Sequence, residues 1–160
     1  MNTAYLLIGG NLGDRNENLA LANRLLNEQC GSISGFSSVY ETAAWGNTDQ
    51  PAFYNQAIEL TTTLNARQLI RRVLKIEKQM GRVRSEKLGP RIIDIDMIFF
   101  NNEVYDLRFL KIPHPEIQNR RFALVPLADI CPQYIHPVLK RSVSELLNVC
   151  PDNLAVKKIG

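Results

Sequence analysis

Two aspartates in one short apolar segment are the residues of this chain with the clearest chemical potential. Residues 92–100 read IIDIDMIFF, and Asp94 and Asp96 are the only polar residues in that run. In a β-strand the two carboxylates would face the same side, about 7 Å apart. Like charges on an apolar strand repel and lose hydration unless a positive group lies between them. The spacing therefore predicts a divalent cation, with Mg²⁺ favoured because it combines a few carboxylate oxygens with substrate phosphates.

Strict alternation along this strand predicts which other side chains accompany the aspartates. Ile98 and Phe100 would share the aspartate face, and Phe99 would lie on the opposite face. Both faces are apolar apart from the two carboxylates. In the absence of a cation, the aspartates would have to face solvent at a sheet end or pair with arginine side chains.

A basic segment precedes the aspartates. Residues 67–91 contain nine Lys or Arg and two Glu, a local charge of +7 in a chain whose net charge is +3. This segment includes Arg82, Arg84 and Arg91, whose planar guanidinium groups suit phosphate oxygens. A solvated helix face followed by a basic loop would explain the same charges. One compact patch favours a phosphorylated small molecule over a nucleic acid, which requires basic residues over more of the domain.

Other familiar sites are missing from the sequence. The glycine turn at residues 9–13 is not followed by Gly-Lys-Ser/Thr, so it is not a Walker A loop, and we expect it to be structural. No Gly-x-Ser-x-Gly elbow occurs, and two histidines are too few and too scattered for a zinc site. Three cysteines without C-x-x-C spacing argue against a disulfide framework and indicate a reducing, cytoplasmic setting.

Length and hydropathy predict one domain over residues 1–160. The chain has 45% hydrophobic and 22% charged residues, which is typical of a well-buried core and not of disorder. No run of eighteen uncharged apolar residues occurs, and the N-terminal residues lack a signal-peptide pattern. We therefore expect neither a membrane span nor secretion.

The elements that must position the candidate residues follow the order β-α-β-β-α-β. Helices are predicted to begin after Asp14 and Asn65, which have capping side chains. Strands are predicted at residues 3–8, 32–42, 53–62 and 92–100. This order is typical of an α+β, ferredoxin-like core, a mostly antiparallel sheet with its two helices on one face. The proline-rich last third is predicted to form loops and short helices packed onto that core.

A second ligand surface is predicted on strand 53–62. Phe53 and Asn55 lie two residues apart and therefore face the same side, which places an aromatic ring next to an amide. The amide both donates and accepts hydrogen bonds, so the pair suits a flat heterocycle. From the sequence alone, core packing is the simpler explanation for Phe53 and for Phe122.

A series of motifs, in this order along the chain, resembles the hydroxymethyl-dihydropterin pyrophosphokinase family of the folate pathway. They are GGNLGD at 9–14, FYNQA at 53–57, GRVR at 81–84, GPRIIDID at 89–96, and PHP at 113–115 with NRRF at 119–122. The resemblance spans nearly the whole chain, and GPR-x-x-D-x-D is its most specific motif. It implies transfer of pyrophosphate from ATP to the hydroxymethyl group of a reduced pterin, with release of AMP.

The resemblance also implies a role for each candidate residue. The implied catalytic residues are Asp94 and Asp96, which would hold two Mg²⁺ ions, and Arg82 and Arg84, on a loop that would close over the phosphates. The positions implied in ATP binding are Glu77, Arg84, Arg91, His114 and Arg120. Those implied in pterin binding are Thr42, Phe53, Asn55 and Phe122, with Phe122 stacking opposite Phe53.

The chain departs from the family pattern at two places. Ala43-Ala44-Trp45 stands where many members have Pro-Pro after the threonine. Leu88 stands where some members have a tryptophan before Gly-Pro-Arg. Neither change touches a predicted metal ligand, so we expect an active enzyme with altered substrate affinity or loop closure.

Two alternatives belong to other functional classes. A ferredoxin-like RNA-binding module would use Phe53, Phe122 and the basic segment, but no RNA-binding signature adjoins a strand, and paired aspartates would repel a phosphate backbone without a metal. A regulatory domain that binds a metabolite without turnover would explain a pocket but not the aspartate pair. We therefore expect a monomeric enzyme acting on small molecules, with no nucleic-acid or membrane partner.

Overall fold

The computed structural model describes residues 1–44, 49–82 and 90–159. The strands in these ranges are β1 (Asn2–Gly10), β2 (Ser32–Phe36), β3 (Val39–Thr42), β4 (Phe53–Thr62), β5 (Asp94–Phe100), β6 (Tyr105–Leu107), β7 (Leu110–Ile112) and β8 (Lys157–Ile159). The helices are α1 (Arg15–Gln29), α2 (Ala66–Gln79), α3 (Arg121–Ile130) and α4 (Val143–Asn148), with a 3₁₀ turn at Ile117–Asn119. The predicted α+β, ferredoxin-like class is confirmed.

An antiparallel sheet forms the centre of the fold. Its strand order is β5-β1-β4-β3-β8, and β2 also pairs with β4. Strand β1 is bonded to β4 along its whole length and to β5 on its other side. Side chains from three neighbouring strands therefore meet at the end of β1.

Helices cover both faces of this sheet. Helices α1 and α2 pack on one face, as predicted, and each is capped locally: Asp14 accepts a hydrogen bond from the Glu17 N–H, and Asn65 and Gln68 cap each other. Helices α3 and α4, from the last third of the chain, cover the opposite face. That third also contains the β6–β7 hairpin and strand β8, which joins the sheet beside β3. No helix in the described parts of the chain is long and apolar enough to cross a membrane.

The prediction of one strand over residues 32–42 is wrong in detail, because the structure has two strands there. Both β2 and β3 pair with β4. Between them, the Ser37 hydroxyl accepts a hydrogen bond from the Ala57 N–H at 2.8 Å, and the Ser37 N–H donates to the Ala57 carbonyl at 2.9 Å. The serine side chain thus takes a place in the ladder and interrupts the regular strand.

A β-bulge interrupts the alternation predicted for β5. Leu6 pairs with Met97 and Tyr5 pairs with Phe99, so Ile98 is an extra residue in this strand. Ile98 and Phe99 both pack toward α3, whereas Phe100 packs with the α1 and α2 side. The predicted faces of Phe99 and Phe100 are therefore wrong. Residues 94 and 96 precede the bulge and keep a common face.

Candidate active site

A cavity of about 290 Å³ opens at the end of β1 and collects most of the candidate residues. Ten of the twelve candidates line it: Thr42, Phe53, Asn55, Arg82, Arg91, Asp94, Asp96, His114, Arg120 and Phe122. Among the described residues, Leu7, Gly9 and Ala43 also line it. Of the other two candidates, Glu77 lies behind this cavity, and Arg84 lies outside the described residues, as do Trp45 and Leu88.

Gly9 places the two halves of the site side by side. It pairs with Asn55 of β4 on one side and with Asp94 of β5 on the other. Neighbouring strands lie about 4.8 Å apart, so the backbones at Asn55 and Asp94 are separated by about 10 Å. Because glycine has no side chain, the cavity floor between the amide and the carboxylate stays open. The glycine turn was predicted to be structural, yet Gly9 itself lines the cavity.

Aromatic and amide groups form one end of the cavity. Thr42 and Phe53 are cross-strand partners, and the Asn55 Nδ2 donates to the Thr42 Oγ1 at 3.4 Å. Phe122 approaches from the first turn of α3. Both rings are half-buried and face the cavity, so core packing alone does not account for them. This end offers two flat apolar surfaces beside groups that can donate and accept hydrogen bonds.

Arg82 links two carboxylates at the other end. Its Nη1 donates to the Asp94 Oδ1 at 2.6 Å and to the Glu77 Oε2 at 2.7 Å. The Arg82 side chain is 10% exposed, and burial alone would lower its pKa, but the Asp94 and Glu77 charges raise the pKa overall. Arg91 lies farther off, with its Nη1 3.9 Å from the Asp94 Oδ2. The alternative foreseen for the aspartates, pairing with arginine, is therefore realised at Asp94.

Burial strongly perturbs the carboxyl group of Asp96. Desolvation and, after it, the charge of Asp94 raise its pKa to about 7, against the opposing charge of Arg120. The ionised form of Asp96 is thus disfavoured until a positive charge approaches it. Together, Asp94 and Asp96 present oxygen donors to the same cavity.

These two carboxylates fit a Mg²⁺ site that is completed by substrate. No cluster of three or more His, Cys, Asp or Glu suited to a metal occurs among the residues that the structure describes. Mg²⁺ is commonly held by one or two carboxylates while phosphates and water supply its remaining ligands. The donor set at Asp94 and Asp96 matches that pattern.

His114 and Arg120 form a wall of the first cavity. Burial, and then the nearby Arg120, lower the pKa of His114 to about 4. Its Nδ1 accepts the Glu116 N–H at 3.2 Å, which requires an unprotonated Nδ1. At neutral pH the imidazole therefore carries its proton on Nε2 as a neutral donor, while Arg91 and Arg120 supply permanent charge.

A second cavity of about 190 Å³ adjoins the first and shares Asp94, Asp96 and His114 with it. Glu77 lines this cavity and accepts the Ile95 N–H at 2.7 Å. Burial raises the pKa of Glu77. The other described residues that line it were not predicted from the sequence: Ile70, Leu74, Ile95, Met97, Phe109, Leu110 and Lys111. Leu74 and Phe109 are large apolar side chains that stay partly exposed, which is a sign of a binding surface. Their exposure depends on the folded structure and could not be found from the sequence.

The chain is similar to known proteins of one family. Residues 5–132 match the family model described as 7,8-dihydro-6-hydroxymethylpterin-pyrophosphokinase. A 2-amino-4-hydroxy-6-hydroxymethyldihydropteridine pyrophosphokinase from Aquifex aeolicus is 39% identical over 145 residues, which cover 91% of this chain and 90% of that protein. The folic acid synthesis protein FOL1 of Dictyostelium discoideum is 41% identical over 138 residues, 86% of this chain and 21% of that protein.

A solved structure of Plasmodium falciparum HPPK-DHPS, with pterin and p-hydroxybenzoate, shares the fold. Its TM-score is 0.73 at 19% identity, over 92% of this chain and 41% of that chain. The chain thus spans about a fifth of the Dictyostelium protein and under half of the Plasmodium chain, but most of the Aquifex protein. The family match covers most of its length, and the chain belongs to the 7,8-dihydro-6-hydroxymethylpterin-pyrophosphokinase family.

Proposed function

We propose that this chain catalyses the reaction of its family, pyrophosphoryl transfer from ATP to 6-hydroxymethyl-7,8-dihydropterin in folate biosynthesis. The pterin hydroxyl oxygen attacks the β-phosphorus of ATP, the bond from that phosphorus to the α,β-bridging oxygen breaks, AMP leaves and the hydroxyl proton is released. The observation that carries the proposal is the register at Gly9. It sets an amide and aromatic rings on one side of the floor and two carboxylates on the other.

The pterin occupies the end of the cavity formed by Phe53 and Phe122. The two rings hold the flat heterocycle between them. Asn55 and Thr42 bind its polar edge, since an amide and a hydroxyl supply both donors and acceptors. This placement directs the hydroxymethyl group along the floor at Gly9 toward Asp94.

ATP enters from the second cavity. Its base packs on the apolar side chains between α2 and β7, of which Ile70, Met97 and Leu110 are examples. Its phosphates then cross Asp94 and Asp96, which line both cavities. The wall residues described above, together with Arg82 and Arg84, bind the phosphate oxygens and stabilise the negative charge that develops on AMP.

Asp94 and Asp96 are the residues that hold magnesium, and we propose two ions. Bound Mg²⁺ supplies neutralisation of phosphate charge and acidification of the attacking hydroxyl. In its absence, Arg82 already balances the charge of Asp94. When Mg²⁺ binds the Asp94 carboxylate, the Arg82 guanidinium would be able to bind phosphate oxygens instead.

The broader organisation of the protein is also a proposal. Residues 1–160 form one domain, which is supported by a six-stranded sheet that contains both β1, near the N-terminus, and β8, near the C-terminus. A cytoplasmic setting is supported by three free thiols, at Cys30, Cys131 and Cys150. We further propose a monomer whose partners are its small-molecule substrates, without nucleic acid or membrane.

The proposal is tested by product analysis. The purified protein is mixed with ATP, hydroxymethyl-dihydropterin and Mg²⁺, and AMP and ADP are separated by chromatography. AMP that requires the pterin and disappears with EDTA is expected. ADP would replace the proposal by simple phosphoryl transfer, and pterin binding without AMP would support the regulatory domain. Salt-sensitive RNA binding without Mg²⁺ would support the RNA-binding module.

A further inference from the structure

Asn11 is a buried amide in the turn between β1 and α1, outside the lining of both cavities. Its side chain is 2% exposed. Its Oδ1 accepts the Arg91 N–H at 2.8 Å. Its Nδ2 donates to the Gln50 Oε1 at 2.7 Å and to the Pro51 carbonyl oxygen at 3.0 Å. One side chain thus joins two segments that are 40 residues apart in the chain.

Each of these segments leads into one half of the site. Residues 50–52 precede Phe53 and Asn55, the proposed pterin groups on β4. Arg91 precedes Asp94 on β5, and its own side chain lines the cavity. The strands β4 and β5 do not pair with each other, because β1 lies between them. Asn11 therefore makes a direct connection where the sheet makes none.

Either segment is also anchored without the Asn11 side chain. The Arg15 Nη1 donates to the Ala52 carbonyl oxygen at 2.9 Å, and its guanidinium lies 3.9 Å from the centre of the Tyr54 ring. The Arg91 carbonyl oxygen accepts the backbone N–H groups of Asn11 and Leu12, at 2.9 and 3.1 Å. The amide is consequently not required to hold either segment on the fold. What it adds is the link between them.

We propose that Asn11 is a positioning residue that couples pterin binding to the placement of Arg91 toward the ATP phosphates; this inference rests on the proposed function. A pterin seated on β4 holds residues 50–52 in place, and Asn11 passes that restraint to the Arg91 backbone. Coupling of this kind is reciprocal, so bound nucleotide strengthens pterin binding by the same factor. The link between the two segments requires an uncharged side chain with one acceptor and two donor N–H groups, which asparagine provides.

The test is a binding cycle on the whole protein with Asn11→Asp. Aspartate keeps the acceptor for the Arg91 N–H but places a carboxylate against the Gln50 and Pro51 oxygens. The pterin Kd is measured with and without an ATP analogue, in Mg²⁺, that has a methylene group between the α- and β-phosphorus. The Kd ratio is the pterin Kd without the analogue divided by the pterin Kd with it. In Asn11→Asp we expect this ratio to fall at least about fivefold toward 1, and KM for the pterin to rise about tenfold. The analogue Kd without pterin stays within about twofold.

Asn101→Asp is the matched control. The Asn101 Oδ1 accepts the Thr3 N–H at 2.9 Å, and its Nδ2 donates to the Asn2 Oδ1 and the Glu103 Oε2, both at 3.0 Å. The substitution therefore removes the same donors at the opposite end of β5. It is expected to lower Tm while leaving the Kd ratio unchanged.

The outcomes separate a coupling role from a structural one. A wild-type Kd ratio near 1, or an unchanged ratio in Asn11→Asp, would overturn the inference. If Asn11→Asp does not fold, Gln50→Met removes one acceptor while keeping the Arg91 bond, and a ratio reduced by at least twofold is expected. An unchanged ratio in that variant would equally overturn it. Absence of AMP from the wild type would overturn the proposed function alone, because coupling is read from binding.

Discussion

The Asn55 amide lies over Gly9, its partner across the β1–β4 ladder. A Cβ at position 9 would meet the Asn55 Oδ1 at a separation that real contacts do not reach, and would lie 2.8 Å from the Tyr54 carbonyl oxygen. The amide is held from its other side by its hydrogen bond to Thr42. Its direction therefore depends on the absence of a side chain at residue 9.

Gly9→Ala is expected to damage pterin binding first. The new methyl group displaces the Asn55 amide, so KM for the pterin rises at least about tenfold, while KM for ATP changes less. Steady-state kinetics in both substrates measures the difference. Gly35→Ala is the control, because a Cβ there meets the Glu59 Cβ at an ordinary 3.6 Å. A pterin KM unchanged in Gly9→Ala would show that Asn55 does not bind the pterin.

Asp96→Asn is expected to abolish turnover and to stabilise the metal-free protein. The folded-state pKa of Asp96 is raised to about 7, so its contribution to stability is present at low pH and is lost as pH rises through 7. A neutral amide avoids that loss, and we expect the free energy of unfolding in EDTA to increase by about 2 kcal/mol at pH 8. The gain should shrink at pH 5. Urea denaturation at the two pH values measures it.

Asp94→Asn tests whether the gain in stability expected for Asp96→Asn comes only from the loss of one negative charge. It removes the charged partner of Arg82 at 2.6 Å, so the metal-free protein should lose stability where Asp96→Asn gains it. Both variants should lose at least about 100-fold in turnover if the two carboxylates hold magnesium. Retained turnover in either variant would count against the proposed metal site.

Arg82→Ala is expected to lower both the stability of the protein and its turnover rate. Its removal leaves Glu77, whose side chain is 4% exposed, and Asp94 without the guanidinium. We expect a loss of about 3 kcal/mol at pH 7, the low end for a broken buried pair, because Glu77 keeps the Ile95 N–H. A compensating Glu77→Gln should recover part of it. Turnover should fall more than affinity for the methylene analogue of ATP.

The exposed pair of Arg24 and Glu28 provides the comparison for Arg82. Their atoms lie 3.7 Å apart one helical turn from each other, with side chains 66% and 58% exposed. Arg24→Ala should therefore cost no more than about 0.5 kcal/mol. Equal losses in Arg82→Ala and Arg24→Ala would mean that the Arg82 network contributes nothing beyond a surface pair.

The existence of most elements was predictable from local patterns, whereas the details set by pairing between strands were not. Asp14 and Asn65 cap the helices within one turn of themselves, so their sequence neighbours suffice to locate α1 and α2. The bulge at Ile98 and the break at Ser37 depend on which residue of a neighbouring strand stands opposite. The pairing of β8 with β3 joins residues over 110 apart, which no local pattern reveals.

The same distinction applies to the site. The common face of Asp94 and Asp96 follows from alternation over two residues, and it was predicted. The position of Gly9 between Asn55 and Asp94 follows from two strand registers, and it was not. The second cavity requires α2 and the β6–β7 hairpin to meet, which is again a matter of packing. Roles assigned to Arg84 stay predictions, since that residue lies outside the described ranges.

His114→Gln is expected to flatten the pH dependence of stability. The folded-state pKa of His114 is lowered to about 4 by burial and Arg120, whereas an unfolded histidine titrates near 6.5. Between these values the unfolded chain binds a proton that the folded chain does not, so wild-type stability falls as the pH drops. From pH 7 to pH 5 the wild type should lose about 2 kcal/mol relative to His114→Gln.

Urea denaturation at pH 7 and pH 5, in EDTA and without nucleotide, measures this difference for His114. Comparing the two proteins at each pH cancels the opposite contribution of Asp96, whose raised pKa stabilises the fold as pH falls through the same range. A parallel loss in both proteins would mean that His114 is protonated in the folded state. Because its Nδ1 accepts the Glu116 N–H, protonation would also break that hydrogen bond, so the neutral form is the one that we propose binds phosphate at pH 7.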